Sequence, residues 1–592
     1  MPDEKAAVAA RKLKDQGNAY FQSGKYDQAL NCYNKGIMLD PSMPELWYYK
    51  GMAHKKVNEA FLAVKAFDEA LALRSGYEEA LSEKASLTFQ KQVIFFVADL
   101  TLNEEGRIKI LEFGRGFQSG LSGHDSLLDS EFDHIQNKLK RILREKYLEA
   151  PVLFNSGFGN YIPDETKLNR WLAAVEKKAK PDAAIKGIYG GFTTRKVPEN
   201  ILILDHDPRL GLLGQDKEFS HRQFSADIIQ FRPLTSIVAA PYHSASIDGV
   251  HPAIRAGRCV VKCPDGANGL SVDILPAENL DKRLKQLLGN KGEKDIKEAA
   301  KDAMTEATRG GFNMATLMHV MQKQASMNSS SSVVLVEQFS PSKVIQVKDE
   351  PYRPTMRAVF LVEMEGNSSE FTPIAAYWKL PCKPEGKGTL EESYISKVDP
   401  RRVSSALVSK EDEALVFAQL KACVPTVMKN ALSFDIHRYA LELIEAKGEA
   451  SLAKRKRKHG IYLLSHYANN LGGIGMTERA LEVLEIIGTY GKDSTYYRER
   501  GVAYQAAGDY DNALKELEIA CRLEPDELSV ARRIAMVQSL KAGDMEGARK
   551  ARAQTVFSPA DIGEIGRIFT TASQGSTGAA RGGAGGGSAS YP

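Results

Sequence analysis

A spacing of 34 residues constrains the start of this chain more than any other feature. Gly17, Tyr20, Ala29, Tyr33 and Pro41 are followed 34 positions later by Gly51, His54, Ala63, Phe67 and Ser75. Small residues fall where two helices must touch, and aromatic residues fall between them to fill the gap. A unit of this length is a helical hairpin, and one hairpin cannot cover its own apolar face, so consecutive units must stack. The pattern returns near the other end as Gly501, Tyr504, Ala513, Leu517, Ala520 and Pro525. Helical arrays are therefore expected at both ends, with something different between them.

The runs Gly-Asn-Ala-Tyr, Gly-Lys-Tyr-Asp-Gln-Ala-Leu and Leu-Asp-Pro within residues 17–41 resemble the tetratricopeptide repeat. So do Gly-Val-Ala-Tyr, Gly-Asp-Tyr-Asp-Asn-Ala-Leu and Leu-Glu-Pro at 501–525. The resemblance implies all-α arrays over 8–92 and within 411–572 that dock a protein or peptide partner. A weaker third hairpin is expected from Tyr77, and 459–488 is similar to another unit. Some members of this family hold an acidic C-terminal peptide with a lysine/asparagine clamp. Lys14 and Asn18 match its first two positions, but Tyr49 stands where a second asparagine is needed, and Glu78 and Glu79 lie where basic residues are needed. The clamp is incomplete, which argues against a chaperone adaptor.

Charge and cysteine usage narrow the remaining classes. Lys and Arg number 79 against 75 acidic residues, a formal net charge of +4, so no global basic field points to nucleic acid. The cysteines at 32, 259, 263, 382, 423 and 521 form no Cys-x-x-Cys pair, as expected of reduced thiols. The polar N-terminus carries no apolar leader, and no run is long enough to span a membrane, so a cytoplasmic protein is expected. The basic run 454–458 reads as a solvated helix face, a nuclear address or an anion contact. Residues 573–592 are rich in Gly and Ser and are expected to be disordered.

Between the arrays the pattern turns to strands. Residues 93–102 form an apolar run, 103–106 a turn, and 107–114 a returning strand. Asp99 and Glu112 would then sit on adjacent strands, where two carboxylates can share a cation such as Mg²⁺. A basic helix is expected over 127–150. Strands at 151–155, 184–189 and 201–204, with a helix at 165–179, suggest a parallel α/β layer within 93–240. A helix over 213–224 carries Lys217. Residues 258–274 read as a strand ending in Lys262, a loop with Gly266 and Gly269, and a second strand. Glycine lets backbone N–H groups approach a polyanion, and lysine supplies a compact positive charge. A helical stretch is expected over 278–325. A buried strand then ends in Glu337, Gln338 and Phe339, and two antiparallel strands over 356–363 and 374–380 follow.

The order of these pieces in 200–410 is similar to the ATP-grasp superfamily of carboxylate–amine ligases. The matching pieces are Asp216-Lys217-Glu218-Phe219, Val260-Val261-Lys262 with its glycine loop, Val334-Leu-Val-Glu-Gln-Phe339, and Arg357. The resemblance implies an α/β, multidomain chain with an ATP-grasp-like α+β core behind a pre-grasp layer. It implies that Lys217 and Lys262 contact the phosphates of ATP and that the loop with Gly266 and Gly269 closes over them. Glu337, Gln338 and Phe339 would frame the adenine through backbone groups, and Arg357 would stabilise the transferred phosphoryl group. The substrates implied are a carboxylate and an amine, joined through an acyl-phosphate. The family's closing Mg²⁺ motif, an acid followed by Glu-x-Asn, is missing after 410, where only Phe434–Arg438 and Leu464–Asn469 offer ligand types. Asp99 and Glu112, with Gly114 in place of the asparagine, have the expected look but stand before the other motifs, as in a circular permutation.

Overall fold

The computed structural model describes residues 4–115, 134–147, 152–155, 173, 177, 185–188, 202–289 and 333–553, apart from short breaks at 90, 205–206, 241, 243, 265–271, 389, 396–404, 449, 474–475 and 526–527. The N-terminal array consists of α1 (Glu4–Gln22), α2 (Tyr26–Leu39), α3 (Pro44–Lys56), α4 (Ala60–Leu73) and α5 (Glu78–Ala85). The repeat glycines have a steric reason. A Cβ on Gly17 would lie 2.4 Å from the Tyr33 ring, and one on Gly51 would lie 2.6 Å from the Phe67 ring. Each aromatic ring thus packs directly on the backbone of the preceding helix. The expected third hairpin is a single helix, α5, after which the chain enters a sheet.

That sheet has eight strands: β1 (Gln92–Leu102), β2 (Ile108–Arg115), β3 (Val152–Asn155), β4 (Ile185–Ile188), β5 (Leu202–Leu204), β12 (Thr355–Glu365), β13 (Ser368–Lys379) and β14 (Ser405–Leu407). Its order is β14-β13-β12-β1-β5-β3-β4, with β2 also paired to β1. β1 is antiparallel to β12 and β2 but parallel to β5, through Val93 and Leu204. It therefore joins an antiparallel half to a parallel half, so boundaries drawn within 93–240 and 200–410 cut through one continuous sheet. Both faces of β1 are covered. Ile94, Phe96, Ala98, Leu100 and Leu102 enter the core shared with the C-terminal helices, while Val93, Phe95 and Val97 pack under α6 (His134–Tyr147). Burial on both sides explains why the strand reads as an unbroken apolar run.

A second, four-stranded antiparallel sheet has the order β6-β9-β7-β8, from β6 (Thr235–Ala239), β7 (Arg258–Lys262), β8 (Val272–Pro276) and β9 (Val333–Gln338). Short helices α7 (Pro208–Gln215) and α8 (Lys217–Arg222) precede it. The single helix expected over 213–224 is thus broken at Asp216, which ends α7 and caps α8 by accepting the Phe219 N–H at 2.6 Å. α9 (Pro252–Arg255) and α10 (Leu280–Leu288) complete this lobe. The described part of the stretch expected at 278–325 is the end of a 3-10 turn (Ala277–Asn279), α10 and Gly289. The remaining strands, β10 (Ile345–Val347) and β11 (Glu350–Tyr352), form a small hairpin, and α11 (Leu390–Tyr394) follows β13.

The C-terminal helices are α12 (Lys410–Leu432), α13 (Ile436–Ile444), α14 (Ala450–Gly473), α15 (Thr477–Gly488), α16 (Ser494–Ala506), α17 (Tyr510–Leu523), α18 (Leu528–Lys541) and α19 (Met545–Ala553). No described helix is long and apolar enough to cross a membrane. The two arrays do not flank the body independently. α2 packs on α13 and α15, and the seam is ionic. Arg479 donates to Asp27 at 2.8 and 3.0 Å and to Glu59 at 3.3 Å. Glu59 also accepts the Tyr467 hydroxyl at 2.6 Å and meets His54 Nδ1 at 2.8 Å. His437 Nε2 lies 3.2 Å from Asp27, and Lys50 pairs with Asp435. All seven of these charged or imidazole groups but Arg479 and Asp435 are almost wholly shielded from solvent.

Candidate functional site

A cleft opens between the two sheets. One wall comes from β1, β2, β12 and β13 of the larger sheet, the other from β7, β8 and β9 of the smaller. Its apolar part comprises Leu111, Val260, Val272, Ile274 and Phe339. Its charged part comprises Asp99, Glu112, Lys262, Glu337, Arg353 and Lys379. A flat apolar group could lie between Leu111 and the β7–β8 surface, with an anionic tail toward the lysines.

Lys262 is almost fully buried at the end of β7, and its ammonium lies 2.5 Å from Glu337. Glu337 also accepts from Arg232 at 3.1 Å. Burial raises the Glu337 carboxyl, but Lys262 and Arg232 outweigh it and hold the group below its ordinary value. The side chain of Glu337 is thus the counter-ion of Lys262, a role that its place at a strand exit did not suggest. Gln338 N–H donates to the Leu234 carbonyl at 2.8 Å and Phe339 N–H to the Arg258 carbonyl at 3.3 Å. Those two donors are spent within the fold and not offered to a base. The Phe339 ring meets Tyr394 edge-on at 5.0 Å. His221, beside Arg232, is pushed down to about 4 by burial and by that neighbouring guanidinium.

Asp99 stands in register with both Glu112 on β2 and Arg357 on β12. It accepts two bonds from Arg357, at 2.7 and 2.8 Å, and one from Lys379 at 2.6 Å. Burial raises its carboxyl, but the two cations prevail and hold it far below the carboxylate range. Burial lowers the Lys379 ammonium against the pull of Asp99. The Asp99 carboxylate, expected to share a cation with Glu112, lines the cleft with Lys262 and is paired with Arg357 and Lys379, while Arg357 is not among the residues that line the cleft. Among the described residues no group of three or more His, Cys, Asp or Glu side chains could hold a metal. Glu112, the register partner of Asp99 on β2, lines the same wall of the cleft.

Lys217 does not line the cleft either, but it is close enough to Glu112 and Lys262 for their charges to act on it. Burial lowers its ammonium first, Glu112 opposes this, and Lys262 adds to it. The Lys217 N–H donates to the Pro264 carbonyl at 3.0 Å, just beyond the end of β7. Gly266 and Gly269 lie outside the described residues. The alternative ligand segments are remote in role. Asp435 caps α13, His437 faces Asp27, and Asn469 donates to Glu499 at 2.8 Å. Lys379 and Arg353 escaped the sequence reading. The one usable signal was a lysine closing the otherwise uncharged run Ile374–Trp378.

In the N-terminal groove, Lys14 pairs with Asp15 at 3.5 Å. Asn18 accepts from the Tyr33 hydroxyl at 2.8 Å, and Tyr49 stacks on Tyr33 with centroids 6.1 Å apart. Asn18 is therefore partly committed to the array's own core, and tyrosines occupy clamp ground.

Fold and cleft together define a mixed α/β protein with helical repeats at its N-terminal and C-terminal ends. The family described as TPR repeat matches residues 17–58. RNA polymerase II-associated protein 3 of Homo sapiens is 36% identical over 80 residues, 14% of this chain and 12% of that protein. Mitochondrial import receptor subunit TOM70 of Rattus norvegicus is 26% identical over 164 residues, 26% of this chain and 25% of that protein. The chain thus matches only a small share of the length of either relative. The solved structure of yeast Tom70 aligns over 96% of both chains at 13% identity with a TM-score of 0.18, too low to imply a shared fold. The family match thus concerns the TPR repeat of the N-terminal array.

Proposed function

We propose that the chain is a TPR scaffold that docks a protein or peptide partner and carries in its body a cleft for a nucleoside triphosphate. The comparisons support the docking half alone. The observation that supports the nucleotide half is the convergence of Lys262, Glu112 and Lys379 on one cleft with an apolar slot of Leu111, Val260 and Ile274. The lysines, the Glu112 carboxylate and the apolar slot match the tail, the metal and the base of Mg-ATP. Glu112 would hold the magnesium, which would spread charge between the outer phosphates. Lys262 would exchange its Glu337 partner for phosphate oxygens, and Lys379 would lie toward the transferred group.

The finer reading, by resemblance, is ATP-dependent carboxylate–amine ligation. A substrate carboxylate oxygen attacks the terminal phosphorus and ADP leaves. An amine nitrogen then attacks the acyl carbon, inorganic phosphate leaves, and the amine gives up a proton. No side-chain nucleophile is needed, since positioning and positive charge carry such a transfer. The rival is a scaffold with a degenerate grasp, favoured by the capture of Asp99 between Arg357 and Lys379. Calorimetric titration with Mg-ATP, repeated on Lys262→Ala, tests the nucleotide half. Binding that weakens at least about tenfold in the variant is expected. No heat and no thermal shift with the wild-type chain leaves the scaffold alone.

A further inference from the structure

Away from the cleft between the sheets, a second cavity of about 400 Å³ opens where the N-terminal array meets the body. That size falls within the roughly 300–1,000 Å³ of small-ligand sites. α4 of the array supplies Lys65 and α8 supplies Arg222, while the turn from α12 into α13 supplies Phe434, Asp435, Arg438 and Tyr439. The charges in this lining do not balance. Asp435 is taken by the buried Lys50, Glu442 by Arg438 at 3.0 Å, and Glu218, outside the lining, by Arg222 at 2.6 Å. Lys65 is exposed, and no described acid pairs with it. Lys50 registers the crowding of cations. Burial lowers its ammonium, Asp435 opposes this, and Arg438 and Lys65 both add to it.

We infer that this cavity is a binding site for the phosphoryl dianion of a small molecule, held by Lys65 and Arg438 together. The inference goes beyond the nucleotide reading and does not depend on it. Arg438 is fixed before any ligand arrives. Its Nε donates to Glu442 and its guanidinium lies over the Trp47 ring, 5.4 Å from the centroid, while its two terminal nitrogens make no bond to a described residue. A planar fork with free donors fits two oxygens of one anion, and the Lys65 ammonium adds a point charge. The double charge of the ligand follows from the pairing. A monocarboxylate would only replace Glu442 at Arg438, one charge for one. A phosphomonoester carries about −1.5 to −2 at pH 7, so it displaces Glu442 and neutralises Lys65 as well. Glu442 is exposed, and releasing it to water costs little. The opposite lining is aromatic. Tyr439 is capped by the Arg222 guanidinium at 4.8 Å and meets Phe434 edge-on at 5.4 Å, which gives an apolar wall to any organic part of the ligand. Because Lys65 belongs to the array and Arg438 to the body, the bound anion would also tie the two together beside the Lys50–Asp435 pair.

Calorimetry on the full chain in phosphate-free buffer tests this with three probes: phenyl phosphate, inorganic phosphate and benzoate. Phenyl phosphate should bind, and benzoate should be weaker by at least about tenfold. Lys65→Ala, which removes an exposed side chain without a partner, should melt like wild type and weaken phenyl phosphate about tenfold, and Arg438→Gln should do the same to its affinity. Glu442→Gln removes the competing carboxylate and should tighten binding about threefold, a gain that a merely structural role would not produce. Inorganic phosphate about tenfold weaker than phenyl phosphate assigns the site to an organic phosphate, and equal affinity assigns it to the free anion. Affinity unchanged in Lys65→Ala, or benzoate as tight as phenyl phosphate, overturns the inference. So does a loss of phenyl phosphate binding in Lys262→Ala, which would place the probe in the cleft between the sheets. No heat from either phosphate at millimolar concentration overturns it too, whatever Mg-ATP does in that other cleft.

Discussion

Replacing Arg479 by methionine should cost about 3–5 kcal/mol of stability, because it takes the main counter-charge from buried Asp27 and one of two cations from Glu59. Arg479 makes two bonds to Asp27 and one to Glu59, and both acids lie at the seam between the arrays, shielded from solvent. Without it, among the described residues, Asp27 keeps His437, and Glu59 keeps His54, Tyr467 and the nearby charge of Arg209. Methionine retains most of the volume, so the packing term stays below about 1.5 kcal/mol and the electrostatic term dominates. The total is a large share of the roughly 5–15 kcal/mol that holds a typical domain together. Urea titration followed by tryptophan fluorescence reads it well, since Trp47 lies in α3 and Trp378 in β13. The transition should split, with the N-terminal array melting first. Adding Asp27→Asn to Arg479→Met should restore part of the loss, because the uncompensated charge is then gone. An Arg479→Met chain within about 1 kcal/mol of wild type, melting in one step, would refute the claim that this seam is electrostatically closed.

The seam also predicts acid sensitivity. Burial raises the Asp27 and Glu59 carboxyls, but neighbouring cations hold both below their ordinary values, so their contribution is complete above about pH 4 and is lost as pH falls through the folded values. Burial holds the His54 imidazole low, so the same acid direction costs stability from about pH 6.5 downward. Urea midpoints against pH, flatter in Arg479→Met, check both. Gly51→Val should destabilise by about 1–3 kcal/mol, since its Cβ would meet the Phe67 ring at 2.6 Å, whereas Gly76→Ala, with nothing within 4 Å, should stay within about 0.5 kcal/mol in thermal melts. Asp99→Asn should destabilise by about 3–5 kcal/mol even in a chelator, because it takes from Arg357 and Lys379 the carboxylate that bonds both. An acid kept only as a metal ligand would show no such loss.

The repeats were legible because their constraint is local. Gly17 against Tyr33 and Gly51 against Phe67 are contacts between neighbouring helices, so the small–aromatic rhythm writes them into 34 residues. The strands were legible for the same reason, one at a time. Pairing was not, because the register of Asp99 with Arg357 joins residues far apart in sequence, and nothing near either one encodes it. The cleft was half legible. Lys262 and Glu337 could be picked as chemistry-bearing strand ends, but that each neutralises the other follows only from the β7–β9 pairing, in which Val260 sits opposite Glu337. Asp99 was picked for its charge and assigned to a metal, because sequence displays an acid but not the two cations that surround it. The burial of His459 was hidden by composition. Five basic neighbours made its segment read as a solvated face, although the histidine turns inward at the end of the run.

The placement of β1 ties these strands of argument together. It is the strand that both β12 and β5 need, and it directly follows the N-terminal array. Its alternate residues feed two separate cores, one under α6 and one under the C-terminal helices. The array itself is clasped to those same helices through Asp27, Glu59 and Lys50. A docking array that was merely appended would need neither connection. Here the segment that would receive a partner is continuous with the central strand of the body and, through Glu59 and Tyr467, touches the long helix α14. A load on the array therefore has a short mechanical route to the cleft, through β1 to Asp99. Coupling of binding energy between array and cleft then requires only that this route have two arrangements of similar energy, which is the physical condition for allostery.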